Sequence, residues 1–424
     1  ALDNDYTRIN NAIQSAAPGV VIELDGAFDW TESNALLSWE AGSNGIHGDG
    51  DVFNTGGDDW SIRLPDGVND VVLRASANGA SVQGAEGKPD NGYSDFAAFI
   101  VAVGTNQDWT FQGLALSGFD LAIGQFIPDF VSAERYNGTQ FIANTINIGP
   151  DSGDDFGNYG LYLGYGESQS VSGNSIEIGI EGADGSSPGP NSRTTGIQIG
   201  DSSNTDAFDG LLVSHNVVTI SGTPANLPPR VIGIWENALD ANSAITIEDN
   251  RFEGSGNLLS LGVENNRQIG LIASTQSNGA KVSAVRRNTV TGAAFGLRSQ
   301  LEIYGHYVAS DAPLLIEGNT FTGNGTALHL PAAFDYSPDS NYSQYTLRHN
   351  RIAGNGIGLF AERADDLPLP GDPGWGGDEL PAEIDANDNW WGCNAGPSHV
   401  DCDSIVIESD GIPADDPAAD LDEG

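Results

Sequence analysis

Short runs in which apolar and polar residues alternate cover most of the chain, and clusters of turn residues separate them. Alternation over about four to eight residues is typical of a β-strand that buries one side, and Gly, Asn, Asp and Ser mark turns. One stretch near the start instead places Tyr6, Ile9 and Ile13 on one helical face and ends before Pro18. The pattern therefore predicts an all-β chain that begins with one amphipathic helix.

An Asn that is followed two residues later by an apolar residue recurs at spacings of 30 to 42 residues. The series comprises Asn144, Asn174, Asn216, Asn250, Asn288, Asn319, Asn350 and Asn389, and Gly113 takes the Asn position one unit earlier. Between these units a second series precedes alternating apolar residues, at Gly160, Gly196, Gly233, Gly270, Gly296, Ala327 and Gly358. Each unit therefore contains at least two short strands, and neighbouring units must stack to bury them.

Two stacked architectures fit such units, the β-propeller and the parallel β-helix. A propeller blade needs about 40 to 50 residues and four antiparallel strands, whereas one coil of a parallel β-helix needs fewer residues and two or three strands. The spacing of 31 residues from Asn288 to Asn319, and again to Asn350, favours the β-helix. We expect about ten coils, each rising by about 4.8 Å.

The asparagines predict an amide ladder along one corner of the β-helix. Asn tolerates the left-handed backbone angles of a sharp corner, and its amide can donate to one neighbouring coil while it accepts from the other. Stacked identical amides form such ladders in cross-β structures. We therefore expect this Asn series to be structural.

Three regions follow from these patterns. Residues 1–19 are predicted to form a capping helix over the N-terminal opening, residues 20–408 the parallel β-helix with loop insertions, and residues 409–424 an acidic tail or linker. Open ends of stacked strands are usually covered, because they would otherwise pair with further strands. We expect Trp390, Trp391 and a disulfide-closed loop to cover the C-terminal end.

The Asn-x-apolar coils, the helix-to-strand segment 12–22 (AIQSAAPGVVI) and the segment 389–397 (NWWGCNAGP) resemble bacterial right-handed parallel β-helix repeat proteins of the pectin-lyase-like superfamily. The resemblance covers about residues 5–405 and implies a single-stranded right-handed parallel β-helix. It implies no single activity, because that superfamily contains polysaccharide lyases, hydrolases, epimerases, phage tailspikes, adhesins and surface proteins.

The chain is strongly acidic, with 59 Asp and Glu against 16 Lys and Arg and a formal charge of −43. Such a charge repels phosphate backbones and anionic lipid surfaces, which excludes nucleic acid as a partner. It also repels polyanionic sugars unless a divalent cation bridges them. No run of about 18 apolar residues occurs, so we expect no membrane insertion.

The sequence also indicates where the protein is located relative to the cell. It starts at Ala1 without an apolar leader, as expected of a mature secreted product that works outside the cell or at the cell surface. Cys393 and Cys402 lie close together in a Gly/Pro-rich segment. An even pair in an exported chain favours a disulfide over a metal site or a catalytic pair, and two unpaired thiols in a reducing compartment are the other interpretation.

Ligand candidates are few. No motif requires a cofactor, and calcium is the ion that the acidic loops favour. Asp151, Asp154 and Asp155 supply hard oxygen ligands at short spacing in a Gly/Ser loop. Exposed aromatic side chains are expected to contact a carbohydrate or another partner, and the candidates are Trp235, Tyr336, Tyr342 and Trp375.

Catalytic residues are not assigned by the sequence. A uronate lyase needs a base beside a group that neutralises the acid, and the basic candidates are Arg193, Arg230, His215 and Arg298. A glycosidase needs only two suitably separated carboxylates. The Asp154-Asp155 pair and the segment 204–206 (NTD) lack the order and the Arg-x-Lys that galacturonan hydrolysis on this fold would need.

Three functions therefore remain open. The first is a non-enzymatic structural or adhesive surface protein, with self-assembly into an extracellular filament as one form of it. The second is a polysaccharide lyase or glycoside hydrolase that acts on a neutral or calcium-bridged glycan, and the third is a glycan-binding module. The partners expected are further copies of the chain, a cell-surface partner or a polysaccharide.

Overall fold

The computed structural model describes residues 5–30, 60–65, 67–84, 97–103, 107–126, 136–149, 158–180, 193–200, 208–222, 230–236, 244–255, 268–274, 284–300, 314–330, 345–362, 386–393, 397, 399–400 and 402–408. This part of the chain holds one helix, α1 (Asp5–Gln14), and thirty strands. In chain order the strands are β1 (Val21–Asp29), β2 (Trp60–Arg63), β3 (Val72–Gln83), β4 (Ala97–Val103), β5 (Thr110–Gln112), β6 (Leu114–Ser117), β7 (Leu121–Phe126), β8 (Gln140–Ile142), β9 (Thr145–Ile148), β10 (Asn158–Leu163), β11 (Gly166–Glu167), β12 (Ser170–Ser172), β13 (Ser175–Gly179), β14 (Arg193–Ile199), β15 (Phe208–Ser214), β16 (Val217–Ser221), β17 (Arg230–Glu236), β18 (Ala244–Glu248), β19 (Arg251–Glu253), β20 (Gln268–Ser274), β21 (Ala284–Arg286), β22 (Thr289–Thr291), β23 (Phe295–Gln300), β24 (Leu314–Glu317), β25 (Thr320–Thr322), β26 (Thr326–Leu330), β27 (Tyr345–Arg348), β28 (Arg351–Ala353), β29 (Ile357–Glu362) and β30 (Ile405–Glu408).

Two parallel sheets run along the molecule, one of 19 strands and one of 11 strands. The order in the 11-stranded sheet is β2-β4-β7-β10-β14-β17-β20-β23-β26-β29-β30, so each strand pairs with its counterpart in the next unit. Equivalent residues stay in register, since Leu161 lies beside Ile197 and Ile197 lies beside Ile234. The described chain is thus an all-β parallel β-solenoid, and the predicted parallel β-helix is confirmed.

Like side chains stack on one another in the interior. Ile146, Ile176 and Val218 are in register on the 19-stranded sheet. The rings of Phe111 and Phe141 stack with their centroids 5.4 Å apart. All five side chains are buried. Burial of one such side chain contributes about 1.5 to 3 kcal/mol, so this stack of apolar layers is the main source of stability.

The glycine series lies on the 11-stranded sheet and faces the core. A Cβ on Gly160 would lie 2.5 Å from the carbonyl oxygen of Gly196 and 3.1 Å from Cδ1 of the core residue Ile148. Leu161, the next residue, also belongs to the core. Each glycine and the residue after it thus both face the core, which interrupts the usual alternation of the strand. The residues that flank this pair, one before the glycine and one two places after it, therefore lie on the outer side of the sheet.

The asparagine series forms a continuous hydrogen-bonded stack. Nδ2 of Asn144 donates to Oδ1 of Asn174 at 2.9 Å, and Nδ2 of Asn174 donates to Oδ1 of Asn216 at 2.9 Å. The same bond is repeated through Asn250, Asn288, Asn319, Asn350 and Asn389. Because each amide also bonds backbone groups of adjacent coils, the buried side chains leave no unmet polar atom at this corner.

The left-handed residue of this corner is not the Asn but the residue before it. The φ angle is 53° at Ala143 and 59° at His215. Gly113 also precedes the Asn position, because the N–H of Leu114 donates to Oδ1 of Asn144 at 3.1 Å. The expectations that Asn adopts left-handed angles and that Gly113 replaces it were therefore wrong. The exposed residue makes the turn, while the Asn points its amide along the stack.

The two ends of the described chain differ in construction. Ile9 and Ile13 of α1 are buried in the core. The hydroxyl of Tyr6 donates to the carbonyl oxygen of Ser61 at 3.0 Å. Near the C-terminus, a disulfide links Cys393 and Cys402. The last residues, 409–424, for which an acidic tail or linker is predicted, lie outside the described residues.

Candidate functional site

The outer side of the 11-stranded sheet carries one column of large or polar side chains, at the position two residues after each glycine of the series. We call it the outer column; its members are Tyr162, Gln198, Trp235, Ile272, Arg298, His329 and Phe360. The residues on either side of Gln198, Ile197 and Ile199, belong to the core. Alternation along the strand therefore places Gln198 and its equivalents on the opposite side of the sheet.

Aromatic side chains gather at two places along the outer column. Tyr159 and Tyr162 meet edge to face, with ring centroids 5.5 Å apart, in a small apolar cluster separate from the main core. Trp235 packs with Ile232 and Phe295 in another such cluster. Tyr162 and Phe295 are half-buried, whereas Trp235 is only 1% exposed. The outer side thus has aromatic packing of its own.

Arg298 and His329 occupy adjacent places in the outer column. They are in direct parallel register on β23 and β26, and both side chains are buried. The His329 ring stacks on Phe295, with centroids 5.2 Å apart and planes inclined by 27°, and lies 5.2 Å from the ring of Phe360. Arg and His provide hydrogen-bond donors, and His can also exchange a proton. The pair could therefore hold an oxygen-rich ligand or move a proton.

Two polar atoms on the outer side of this sheet are buried without a hydrogen-bond partner in the described part of the chain. They are Oγ1 of Thr195 and Oε1 of Gln198. The amide nitrogen of Gln198 does donate, to the carbonyl oxygen of Gly200 at 2.9 Å. An unsatisfied buried polar atom costs about 1 to 3 kcal/mol, and such atoms are commonly satisfied by water or a ligand. The outer column is therefore suited to a polar ligand.

The outer side of the 19-stranded sheet contrasts with this, because it carries ion pairs between adjacent coils. Nη2 of Arg287 lies 2.8 Å from Oε2 of Glu248 and 2.8 Å from Oδ2 of Asp249. Burial raises the pKa of Glu248, but hydrogen bonds from Arg286 and Arg287 outweigh it and the net shift is downward. The hydrogen bond from Arg287 likewise lowers the pKa of Asp249. These groups satisfy one another and suggest no ligand.

Most of the carboxylates and aromatics that the sequence favoured lie outside the described residues. These are the calcium candidates Asp151, Asp154 and Asp155, and the contact candidates Tyr336, Tyr342 and Trp375. Trp235 is described, and its burial differs from the exposure that the sequence suggested. A tryptophan on the outer side of a sheet is sequestered where neighbouring outer side chains pack beside it, as Ile232 does here.

The basic candidates do not converge on one place. Arg193 and Arg230 are in register on β14 and β17 of the 11-stranded sheet. His215 is exposed in a turn of the 19-stranded sheet, and Arg298 lies in the outer column. The structure instead brings His329 beside Arg298, and sequence reasoning missed it. The signal that could have identified it is its distance from Ala327, which equals that of Arg298 from Gly296.

A family model and a solved structure are similar to parts of this chain. A family model described as "Periplasmic copper-binding protein (NosD)" matches residues 213–366. A solved structure described as a new PL6 alginate lyase complex with trisaccharide aligns with 86% of this chain and 69% of its own, at 11% identity and a TM-score of 0.35. No curated protein matches the chain. The family model covers about a third of the chain, and the parallel pairing of the strands shows a β-solenoid.

One further observation concerns membranes. Among the described residues, no helix is both long and apolar enough to cross a bilayer.

Proposed function

We propose that the protein is a non-enzymatic adhesive surface protein that works outside the cytoplasm and holds a neutral carbohydrate on its outer column. The observation that carries this proposal is the alignment of aromatic and polar side chains along the outer column in two groups, from Tyr162 to Trp235 and from Arg298 to Phe360, with Ile272 between them. A rigid solenoid keeps these side chains at fixed intervals, which suits a ligand that is itself a chain of similar units.

The side chains of the outer column suit a sugar chemically. Ligand sites are commonly lined by aromatic and apolar groups with a few polar groups that fix the orientation. Half-buried Tyr162 and Phe360 provide aromatic surface, and Arg298 provides several N–H donors for hydroxyl oxygens. Buried oxygens of Thr195 and Gln198 on the same side have no hydrogen-bond partner among the described residues. These features support recognition without requiring turnover.

The charge of the chain limits which carbohydrates can bind. With a formal charge of −43, an acidic polysaccharide would be repelled at long range unless calcium bridged it. A neutral glycan avoids this cost. We therefore expect binding of neutral oligosaccharides to depend little on ionic strength, whereas acidic oligosaccharides should bind only with calcium.

A panel of fluorescent neutral oligosaccharides, titrated with the full chain, tests the proposal. Tyr162→Ala and Phe360→Ala should each weaken binding by about tenfold, which corresponds to about 1.4 kcal/mol. Arg251→Ala is the matched control, because Arg251 is exposed on the 19-stranded sheet and should leave affinity unchanged. Failure of every neutral oligosaccharide to bind, or equal affinities for all variants, would refute the proposed function.

A polysaccharide lyase is the second candidate, and the adjacency of Arg298 and His329 favours it. In a β-elimination the guanidinium would neutralise the uronate carboxylate while the imidazole removed the C5 proton; the C4–C5 double bond would form as the C4–O bond breaks, and the departing oxygen would take a proton from water. Incubation with acidic polysaccharides and calcium, followed by the ultraviolet absorbance of unsaturated products, tests this activity. His329→Asn should abolish any product formed by the wild-type protein; a wild-type protein that forms none rejects the lyase.

Further details belong to the same proposal. The eleven strands of the smaller sheet support about ten coils. The buried contacts of α1 support a capping role for residues 1–19, and the disulfide supports closure of the C-terminal end. We also propose secretion to the cell surface, optional calcium binding and self-association. Negative-stain images in high salt and calcium should contain ordered polymers, and monomers under all conditions would oppose assembly.

A further inference from the structure

A cluster of three potential metal ligands lies near the C-terminal end of the solenoid, away from the outer column. Cys393, His399 and Cys402 each offer one ligand atom, and these atoms all lie within 4.8 Å of one another. The Cα atoms of the two cysteines are 5.3 Å apart, and a disulfide joins their sulfurs. Two sulfur atoms, joined to each other as a disulfide, and one imidazole therefore meet in one short loop.

Both ends of this loop are fixed to the solenoid. Trp391 is buried in the core just before the first cysteine. Asp403, directly after the second cysteine, is buried and accepts hydrogen bonds from the N–H groups of Gly354 and Asn355 at 2.9 and 3.1 Å. The N–H of Asp403 also donates to the carbonyl oxygen of Trp391 at 3.0 Å. These contacts hold the ends of the loop together without the disulfide.

The position of His399 is tied to that of Cys402. The N–H of Cys402 donates to the carbonyl oxygen of His399 at 2.8 Å, which closes a tight turn between the two residues. His399 is exposed and both cysteines are half-buried, so an ion or a small reductant can reach them from solvent. The match to the copper-binding family ends at residue 366 and does not include this loop.

We propose that Cys393, His399 and Cys402 form a redox-controlled site for a soft d10 cation, Cu(I) or Zn(II). Thiolate and imidazole are the ligands that these ions prefer, and carboxylate-binding ions such as calcium are excluded by the donor set. Three ligands suit Cu(I) most directly, whereas Zn(II) would complete its shell with water. The disulfide is the form of the site that binds no metal.

The exchange between the two forms is balanced chemically. Two equivalents of a small thiol reduce the disulfide: they give two electrons and two protons to the cysteines and leave as the oxidised small disulfide. Metal binding then releases the two thiol protons, because thiolates are the ligands. In the reverse step the small disulfide accepts two electrons from the cysteine thiolates and two protons from water and leaves as two small thiols, so that the cysteine disulfide forms again and the ion is released. The site therefore binds metal only under reducing conditions.

Metal titration of the full chain tests this proposal. The protein is reduced under nitrogen with a phosphine, which is then removed, and Cu(I) or Zn(II) is delivered from a chromophoric chelator that reports transfer. We expect one ion per reduced chain, ultraviolet thiolate-to-metal absorbance for Cu(I), and no transfer to the oxidised protein. Tighter binding of Zn(II) than of Cu(I) would still support a metal site at these three residues, with Zn(II) as the preferred ion.

His399→Ala is the decisive variant, because it keeps both cysteines and can fold in the oxidised form before reduction. It should weaken metal binding by about tenfold or more, since even the loss of a group that orients a ligand costs that much. His349→Ala is the matched control, as His349 is exposed and lies beside Glu317. Absence of transfer to the reduced protein, or equal affinities for His399→Ala and the wild type, would overturn the proposal.

Discussion

The outer sides of the two sheets are made by the same coils yet carry different chemistry. On the 19-stranded sheet, Arg74 pairs with Glu23 and Arg348 pairs with Glu317, and the arginine is 46% and 48% exposed. On the 11-stranded sheet, Trp235, Arg298 and His329 are at most 5% exposed. One side is thus solvated and charged, and the other is packed and largely uncharged.

The difference shows where a function should be sought. An arginine opposite a carboxylate in the next coil is fully explained by that pair, and such exposed pairs contribute little to stability. Buried Thr195 and Gln198 oxygens without a partner in the described structure are not explained in that way. Buried polar groups that lack a partner among the described residues are the better indication of a ligand, so we place the candidate site on the 11-stranded sheet.

The largest expected effect comes from removing the most buried aromatic of the outer column. Trp235→Ala should lower the free energy of unfolding by about 3 to 5 kcal/mol, because a large side chain would leave a cavity. Arg251→Ala on the other sheet should change it by at most about 0.5 kcal/mol. Chemical denaturation monitored by circular dichroism measures both. Equal losses would mean that the two outer sides do not differ in packing.

The second prediction concerns the corner of the 19-stranded sheet. Asn319→Ala should destabilise the protein by about 1 to 3 kcal/mol, because Asn288 and Asn350 would each lose an amide partner in a buried place. The melting temperature in a thermal scan measures the loss. Thr320→Ala, on the half-buried neighbour, is the control, and a melting temperature that Asn319→Ala leaves unchanged would contradict a structural role for the ladder.

Much of this architecture could be predicted because it repeats. Each coil must place the same kind of residue at the same corner. The repeated Asn, as at Asn288 and Asn319, therefore identifies equivalent positions of successive coils from the sequence alone. The glycine series could be found for the same reason, since a Cβ on Gly196 would lie 2.5 Å from the carbonyl oxygen of Gly233. The backbone angle at the corner was assigned one residue too late, because sequence does not distinguish the turning residue from the amide beside it.

The candidate site could not be predicted in the same way. Its members share a position but not a residue type, as Gln198, Trp235 and Arg298 illustrate, so no repeated letter marks them. Arg298 and His329 are 31 residues apart, and their adjacency follows only from the register of β23 with β26. The aromatic candidates from the sequence were expected to be exposed, whereas the described aromatics of this side lie on strands beside the glycines and are buried or half-buried.

The third prediction concerns the charged side and its pH dependence. Arg287→Ala should cause a small decrease in melting temperature at pH 7, larger at low ionic strength, because Glu248 and Asp249 would lose a partner. The pKa values of both carboxyls are lowered in the folded protein. Their contribution is therefore present above their unfolded-state pKa of about 4 and is lost as the pH falls through the folded-state values.

Thermal scans of the wild type and Arg287→Ala between pH 7 and pH 3 measure this effect. The two melting temperatures should converge on acidification. Arg251→Ala serves as the control, because Arg251 contacts Glu253 of its own strand rather than a carboxylate of another coil. A difference that stays constant down to pH 3 would mean that Arg287 acts through packing and not through its charge.

The smallest expected effect has the opposite sign and concerns the turn before the Asn. Ala143 has a φ of 53°, which costs a residue with a Cβ about 1 to 2 kcal/mol, whereas Gly adopts it freely. Ala143→Gly should therefore stabilise the protein by about 0.5 kcal/mol after the entropy that glycine loses on folding. The reverse change, Gly173→Ala at the same place in the next coil, should destabilise it, although a Cβ there meets no atom closer than 4.0 Å. Opposite shifts in the denaturation midpoint would show that backbone shape alone selects the residue at this corner, whereas destabilisation by both changes would contradict that view.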